Sequence, residues 1–380
     1  MLSVEILKGG VEVIDRLAAE WAALCDEGAS NEPFLRPEWF AAFVKNFGLR
    51  VEIITVRRDG KLRALLPLMR SRSTLHGVPV RKLEAVFNLN SQRFDLVHGA
   101  DESEKHSILR VIWDFIQKQP GWDVIEMRLV KKDSWLADLL TLADDDANKT
   151  GVWEMDAAPY ISLPTNGQPP ITINEFLKGS RKHLRQQLDR RTRRLNEIGS
   201  VTYVVTREYS PDLLARYFEL ETKGWKGRQG TAAGDDAAVS QFHLDFAAAV
   251  AGRDSLFAYE LRLDGKTIGM SLNILCGGRM VHWKTSYDEE YARYSPGNLL
   301  FKKLVSDCIE SKLSEIDLLS PATENKRFWA TGTREHAAFY IFDRSLAGTL
   351  LHKWKFTVVS SLRGLKSGSP KVLIPAHAVK

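Results

Sequence analysis

With 380 residues, 44% of them hydrophobic and 27% charged, the chain has room for two packed domains or one large one and is too apolar for a disordered protein. Its 53 Lys and Arg against 48 Asp and Glu leave a net charge of +5, too mild an excess to indicate a specific nucleic-acid partner. Cys25, Cys276 and Cys308 lie far apart with no CxxC pair, which argues against a zinc site or a disulfide framework, and no apolar run reaches the roughly 20 residues of a bilayer span.

The segment Met1-Leu2-Ser3-Val4-Glu5 lacks the basic-then-apolar order of a secretory leader, so the expectation is a cytoplasmic protein with reduced thiols. Residues 4–7 read as a short edge strand, and 13–25 as a helix with Ile14, Leu17, Trp21 and Leu24 at helical spacing. Arg36-Pro37-Glu38-Trp39 opens a second helix that passes through Phe43 and Phe47 and closes at Gly48. The apolar runs 51–56 and 62–68 flank Asp59-Gly60, a hairpin signal because the two-residue turn needs positive φ at both positions. A helix over 108–117 and a strand over 124–129 follow.

The second half opens with a long basic helix near 174–198 and a helix from 211 to about 223. Strands over 256–261 and 268–275 flank Asp264-Gly265, Cys276-Gly277-Gly278-Arg279 turns the chain, and a strand returns over 280–287. A helix over 298–313 leads into a strand over 315–319. Both halves thus run helix, helix, DG hairpin, helix, strand, a repeat of element order without residue identity. The fold class is α/β with mixed sheets. The Pro- and Gly-rich segment 157–170 suggests lobes over 1–157 and 158–345, with a basic tail over 346–380. That tail carries Lys353, Lys355, Arg363, Lys366 and Lys371, and Leu350, Leu351, Trp354 and Val358 give it an amphipathic face.

The stretch from Val281 to Leu300 reads as strand, polar loop and helix entrance. Tyr294, Ser295, Pro296, Gly297, Asn298 and Leu299 form that entrance, with Ser, Pro, Gly and Asn at its mouth. Unpaired N–H groups and the helix dipole favour an anion there, and small residues allow a phosphate to reach the backbone. The same residues also spell an ordinary helix start, Ser followed by Pro at the first helical position. No GxxxxGK[ST] or GxGxxG motif is present.

The basic helix is the second signal. Arg181, Lys182, Arg185, Arg190, Arg191, Arg193 and Arg194 against Asp189 give 7 − 1 = +6 over fourteen residues, beside an apolar stripe of Leu177, Leu184, Leu188, Leu195 and Ile198. Such crowding is either a solvated face or a seat for an anion: a coenzyme phosphate, an activated or lipid-linked sugar, an acidic polysaccharide, or a membrane surface. Among ten tryptophans, Trp225, followed by Lys226-Gly227-Arg228 and a polar loop, is a candidate cleft residue.

Four spaced segments resemble the GNAT superfamily of acyl-CoA-dependent N-acyltransferases, and within it the CelD-like branch associated with cellulose and other exopolysaccharides. They are Glu219-Leu220-Glu221-Thr222-Lys223-Gly224-Trp225-Lys226-Gly227, Lys284-Thr285-Ser286-Tyr287-Asp288, Tyr294-Ser295-Pro296-Gly297, and Asp317-Leu318-Leu319 with Asn325-Lys326-Arg327-Phe328-Trp329. They span roughly 175–340, and Pro33-Phe34-Leu35-Arg36-Pro37-Glu38-Trp39 extends the likeness into the first half. The resemblance implies tandem GNAT-like lobes, a degenerate first lobe and a second one that binds acetyl-CoA or another acyl-CoA through residues 294–299, without a metal. Of the glycines in the usual Q/RxxGxG/A loop only Gly297 is kept, and Pro296 removes a donor. The implied acceptor is an amino sugar or polysaccharide precursor, with Trp225, Lys226, Arg228, Lys326 and Trp329 as candidate contacts. A peripheral place at the inner membrane face accords with the basic helix and tail.

Attack of an amine on a thioester needs a proton acceptor and donors for the developing oxyanion. Strand alternation puts His282, Lys284 and Ser286 on one face, opposite Trp283 and Tyr287, with Asp288 at the strand end and Asp317 on the neighbouring strand. His282, Lys284, Asp288 and Asp317 are therefore the catalytic candidates, each also readable as a structural residue. Two other functions remain open: a Fem-type aminoacyl transferase acting on a cell-wall precursor, and a non-catalytic sensor of an anionic ligand that regulates polysaccharide synthesis.

Overall fold

The computed structural model describes residues 1–361 except 29, 89, 100, 165–170, 179–180, 229, 231 and 254; the side chains of Trp225 and Lys226 also lie outside the described set. The first half runs β1 (Leu2–Gly9), α1 (Val11–Glu27), α2 (Pro37–Asn46), β2 (Val51–Arg58), β3 (Lys61–Leu75), β4 (Val78–Ala85), β5 (Val97–His98), α3 (Lys105–Gln117), β6 (Val124–Lys131), α4 (Trp135–Asp145) and β7 (Lys149–Glu154). The second begins with β8 (Ala158–Ser162), α5 (Ile173–Phe176), α6 (Lys182–Asn196), β9 (Val201–Thr206), α7 (Pro211–Lys223), α8 (Trp225–Arg228) and α9 (Ala237–Ala251). It continues with β10 (Leu256–Leu263), β11 (Lys266–Cys276), β12 (Arg279–Tyr287), α10 (Pro296–Glu310), β13 (Glu315–Asp317), α11 (Glu324–Trp329), β14 (Gly332–Arg334), β15 (His336–Phe342) and α12 (Leu346–Lys353).

Local chemistry explains most boundaries. Asp59 and Gly60 take φ of 51° and 81°, and Asp264 and Gly265 take 48° and 82°, as both DG hairpins require. Ser210 caps α7 by accepting from the Leu213 N–H, and Asp236 caps α9 by accepting from Ala238 and Val239. The basic helix expected as one piece over 174–198 is two: α5 ends at Phe176 and α6 starts at Lys182.

The strands form two mixed sheets of the same design. The first has the order β1-β2-β3-β4-β6-β15-β7, with β5 beside β3, and the second β9-β10-β11-β12-β13-β8-β14. Each contains four antiparallel strands, then one parallel pair (β4 with β6, β12 with β13), then two further antiparallel strands. The sixth strand is exchanged. β15, from the second half of the chain, lies between β6 and β7, and β8, which follows β7, lies between β13 and β14. Neither sheet closes without a strand from beyond the other lobe. The segment 157–170 therefore contains a sheet strand, and β15, within 158–345, is hydrogen-bonded in the first sheet.

Apolar layers follow from this. The first sheet packs one face on α3 and α4, and the second packs one face on α10 and α6. The remaining faces meet through α1, α2, α7 and α9 in a shared core that includes Trp21, Trp39, Phe43, Tyr217, Phe242, Phe246 and Trp283. Trp39 is its hub, with ring centroids 4.8 Å from Phe242, 4.9 Å from Phe246 and 5.0 Å from Phe34.

Beside this core lies a buried ionic bridge between the halves. Arg93 Nη1 donates to Glu32 at 2.7 Å while Nη2 donates to Asp317, and Lys131 also pairs with Glu32. The side chains of Arg93, Glu32 and Asp317 are each 2–3% exposed. Burial alone would raise the Glu32 carboxyl, but the charges of Arg93, Lys131 and Arg279 overcome it and hold the group well below the usual carboxylate range. The stabilisation is therefore complete above the unfolded value of about 4.3 and is lost as pH falls below it.

Removing the cation leaves Asp317 buried without its ion pair and Glu32 with only Lys131 and Arg279. Arg93→Met is expected to cost about 3–5 kcal/mol in urea unfolding. A loss below about 1 kcal/mol, the scale of an exposed pair, would show that the bridge is solvated.

Candidate active site

The second sheet opens where its parallel pair ends. β12 pairs with β13 only through Arg279, Val281 and Met280 between them, after which β13 stops at Asp317 and β12 continues to Tyr287. Beyond Val281 the β13-side edge of β12 has no strand neighbour among the described residues, so its backbone groups border a wedge. α10 starts at the wide end of that wedge, after the turn over 289–294.

A bulge decides which side chains face it. In the β11–β12 ladder Asn273 is opposite His282 and Leu272 opposite Lys284, so Trp283 is the extra residue. The insertion overturns the simple alternation expected for this strand. Lys284 and Ser286, paired with Leu272 and Met270, lie on the face of the inter-lobe core together with Trp283. His282 and Tyr287 lie on the α10 face: His282 is 4.9 Å from the Phe301 ring, and Tyr287 Cδ1 is 3.6 Å from where a Cβ on Gly297 would sit. Lys284 stands 5.8 Å over Trp283. His282 and Lys284 thus flank the strand instead of converging on one side.

His282 has a defined tautomer. Fully buried Asn273 donates through Nδ2 to the Phe257 carbonyl at 3.3 Å and the Ser271 hydroxyl at 3.1 Å, so its Oδ1 accepts from His282 Nδ1 at 2.7 Å. Nε2 is left with its lone pair. Burial pushes the imidazole down to about 3, and the nearby Lys326 charge adds to the effect. The ring is a neutral hydrogen-bond acceptor at physiological pH. Lys326 is anchored by donation to the Leu319 carbonyl at 3.0 Å.

At the mouth of α10 the backbone offers less than a bare helix end. The Ser295 N–H donates to the Ala292 carbonyl at 2.9 Å, and the N–H groups of Asn298 and Leu299 both donate to the Ser295 carbonyl, at 3.0 and 3.2 Å. Pro296 has no N–H, which leaves that of Gly297 for a ligand. Ser295 sits at φ 54°, ψ 57°, so its hydroxyl does not cap the helix. The Asn298 Oδ1 accepts from Trp329 Nε1 at 3.1 Å, and Trp329 is 1% exposed with its ring edge-on to Phe301 at 4.9 Å. Tyr294 and Leu299 are buried beneath this turn.

The basic helix stands beside the same mouth. α6 packs on the 289–294 turn and on α10. Lys302 of α10 takes up Asp189 at 2.8 Å. Among the described residues no carboxylate forms an ion pair with Lys182, Arg185, Arg190, Arg191, Arg193 or Arg194, and of these Lys182, Arg190, Arg193 and Arg194 are exposed. Arg181 differs: it donates to the Ala330 carbonyl at 2.9 Å and covers Phe176 at 4.7 Å, so it fastens α6 to the fold.

Other sequence candidates hold structural partners. Asp288 is 7% exposed, accepts from the Glu290 N–H at 3.1 Å and pairs with Lys266 at 2.9 Å, closing the turn into 289–294. Asp317 accepts from the Leu319 N–H at 2.9 Å and belongs to the Arg93 bridge. Arg228 pairs with Glu289. The side chains of Trp225 and Lys226 lie outside the described residues. Burial raises the Cys25 thiol to about 12 and the Cys276 thiol to about 11, and Cys308 is 1% exposed in the core under α10, which disfavours a thiolate at each.

Two positioning residues escaped sequence reading. Asn273, a buried polar residue in an apolar strand, sets the His282 tautomer. Gly269 lets α10 approach the sheet, since a Cβ there would lie 3.1 Å from Leu300 and 3.2 Å from Pro296. The first sheet's β3–β4 ladder runs from Leu68–Ala85 to Leu75–Val78 without a register shift.

Residues 182–327 match the family model of an acetyltransferase (GNAT) domain. No curated protein matches the chain significantly. Among solved structures, FemX aligns over 92% of this chain and 100% of its own, at 14% identity and a TM-score of 0.60. A conserved protein of unknown function from Bacteroides thetaiotaomicron aligns over 90% and 100%, at 12% identity and 0.55. The C-terminal domain of a protein described as a lysylphosphatidylglycerol synthetase from Agrobacterium fabrum aligns over 91% and 97%, at 14% identity and 0.54. At such identities the likeness is one of fold.

The depressed imidazole gives a direct check. The His282 ring is expected to show no protonation step between about pH 5 and 8 by NMR, whereas an exposed histidine would titrate near 6.5. A His282 midpoint near 6.5 would show that the ring is solvated.

Proposed function

We propose that this chain, whose residues 182–327 match the family model of an acetyltransferase (GNAT) domain, moves an acyl group from coenzyme A to a primary amine carried by an amino sugar or a related exopolysaccharide precursor. The observation that carries the reading is the wedge. A nine-residue β12 outruns a three-residue β13 beside a helix mouth with one uncommitted N–H.

Acetyl-CoA, or a longer acyl-CoA, would supply the thioester carbonyl in this slot. Gly297 and the positive end of α10 would hold its diphosphate, with the α6 cations adding charge that a single amide cannot. The half-buried opening at Gly297 and Asn298 accords with that placement. Backbone N–H groups of β12, released by the bulge and the missing β13 partner, are the donors available to the developing oxyanion.

His282 Nε2 accepts an N–H of the attacking amine and orients its lone pair. Held neutral by burial, the ring does not keep the proton, which passes through water to the coenzyme A thiolate released as the C–S bond breaks and the C–N bond forms. Lys284 and Ser286 lie on the other face of β12, toward the inter-lobe core, and have no part in this contact. The amino-sugar acceptor is supported by the CelD-like pattern at 219–227, 284–288, 294–297, 317–319 and 325–329.

Thiol release from acetyl-CoA with glucosamine-type amines tests the reaction. The wild type is expected to turn over, and His282→Ala to lower kcat by about a hundredfold. Undiminished turnover in that variant would remove His282 from the mechanism. Calorimetry tests the cofactor seat separately. A Cβ at Gly297 meets only Tyr287, at an ordinary 3.6 Å, so Gly297→Trp is expected to keep the fold and lose acyl-CoA binding. Unchanged binding there would place the diphosphate elsewhere.

A further inference from the structure

We propose that the C-terminal helix is a docking surface for an anionic lipid bilayer. α12 continues through a π-helical turn, Trp354–Val359, so that one amphipathic rod runs along the edge of the first lobe. Its outward face is apolar: Leu346 is 79% exposed, Leu350 61% and Val358 40%. Leu346, Leu350, Lys353 and Thr357 follow one another at three- and four-residue spacing, which aligns them on one side. Single exposed aliphatic residues are ordinary on a protein surface, but three on one short helix form a patch.

The helix cannot roll to hide that face, because its inner face is fixed. Lys355, 3% exposed, enters a cage of aromatic rings with Nζ 4.0 Å from the Tyr340 centroid, 4.6 Å from Trp153 and 5.5 Å from Phe356, and it donates to His76 Nε2 at 3.2 Å. Phe356 lies directly on Gly151, where a Cβ would come within 2.3 Å of the ring. Trp354 Nε1 donates to the His76 carbonyl at 3.4 Å, and His352 Nε2 donates to the Thr150 carbonyl at 3.0 Å.

Charge selects the occupant. Besides the buried Lys355 and Arg344, which is held by Asn148 and Gln117, the sequence from Arg344 to Lys380 holds Lys353, Arg363, Lys366, Lys371 and Lys380 and no Asp or Glu. A rigid helix with exposed leucines, a lysine on the same stripe and an acid-free basic sequence matches the acyl–headgroup boundary of an anionic membrane, where aliphatic side chains insert and lysines reach back to the phosphates. No described helix is long and apolar enough to cross a bilayer, so the contact is with a surface.

The test is co-sedimentation of the full chain with phosphatidylcholine vesicles and with vesicles that also contain phosphatidylglycerol. Binding is expected to the phosphatidylglycerol vesicles only and to weaken as salt is raised. Leu346→Asp with Leu350→Asp, both on the open face and checked for an unchanged melting curve, is expected to lower the partition coefficient by about tenfold or more. Equal binding to both vesicle types, or an unaffected double variant, would overturn the proposal. So would a loss of binding on Arg190→Gln with Arg193→Gln, which would move the contact to α6. A dimer seen by sedimentation equilibrium and abolished by the leucine substitutions would assign the face to a second copy and overturn it as well.

Discussion

The second lobe depends on a mismatch: β13 is three residues long where its parallel neighbour β12 is nine. Parallel strands that stop pairing leave backbone donors and acceptors unmatched, and these must meet solvent, side chains or a ligand. Here they border the wedge with His282 and the mouth of α10. The bulge at Trp283 acts on the same strand, and it keeps Trp283 in the inter-lobe core while His282 stays against Phe301. A strand with regular alternation would place Lys284 and Ser286 beside His282. The bulge separates them, which gives the strand one face toward α10 and another toward the opposite lobe.

What holds the wedge open is the rest of the molecule. β13 is bounded on its other side by β8, a strand that arrives directly from the first lobe, and the first sheet in turn takes β15 from the end of the second. This exchange, the aromatic core around Trp39 and the Arg93 bridge tie the sheets together by three physically different means. Asp317 is shared between the last of these and the base of the wedge, since it bonds the Leu319 N–H next to the carbonyl that anchors Lys326. The first lobe is thus a support for the site, although its own β3–β4 ladder is regular.

The anion seat proposed at the start of α10 differs in design from a glycine-rich loop. Proline and two internal hydrogen bonds consume most of the N–H groups at the start of α10, so backbone donation is reduced to Gly297. Positive charge is instead stored in the neighbouring α6, whose cations repel one another and whose one acid, Asp189, is taken up by Lys302. Such charge attracts an anion at longer range and with looser geometry than converging amides do.

The sequence by itself determined the elements whose cause is local: both DG turns, the helices begun at Pro37, Pro211 and Pro296, the basic face of α6, and the small residues at 295–298. Each depends on φ preference, capping or helical period, which act within a few residues. Only the tertiary structure decided the destinations of β8 and β15, because short apolar strands carry no record of which sheet they enter. It also decided the bulge at Trp283, and with it the faces of His282, Lys284 and Ser286, since one inserted residue leaves the amino-acid pattern unchanged but inverts the register. The commitment of Asp317 to Arg93, 224 positions away in sequence, is of the same kind. Its cause is a buried charge that needs a partner, and which one it finds depends on how the chain as a whole packs.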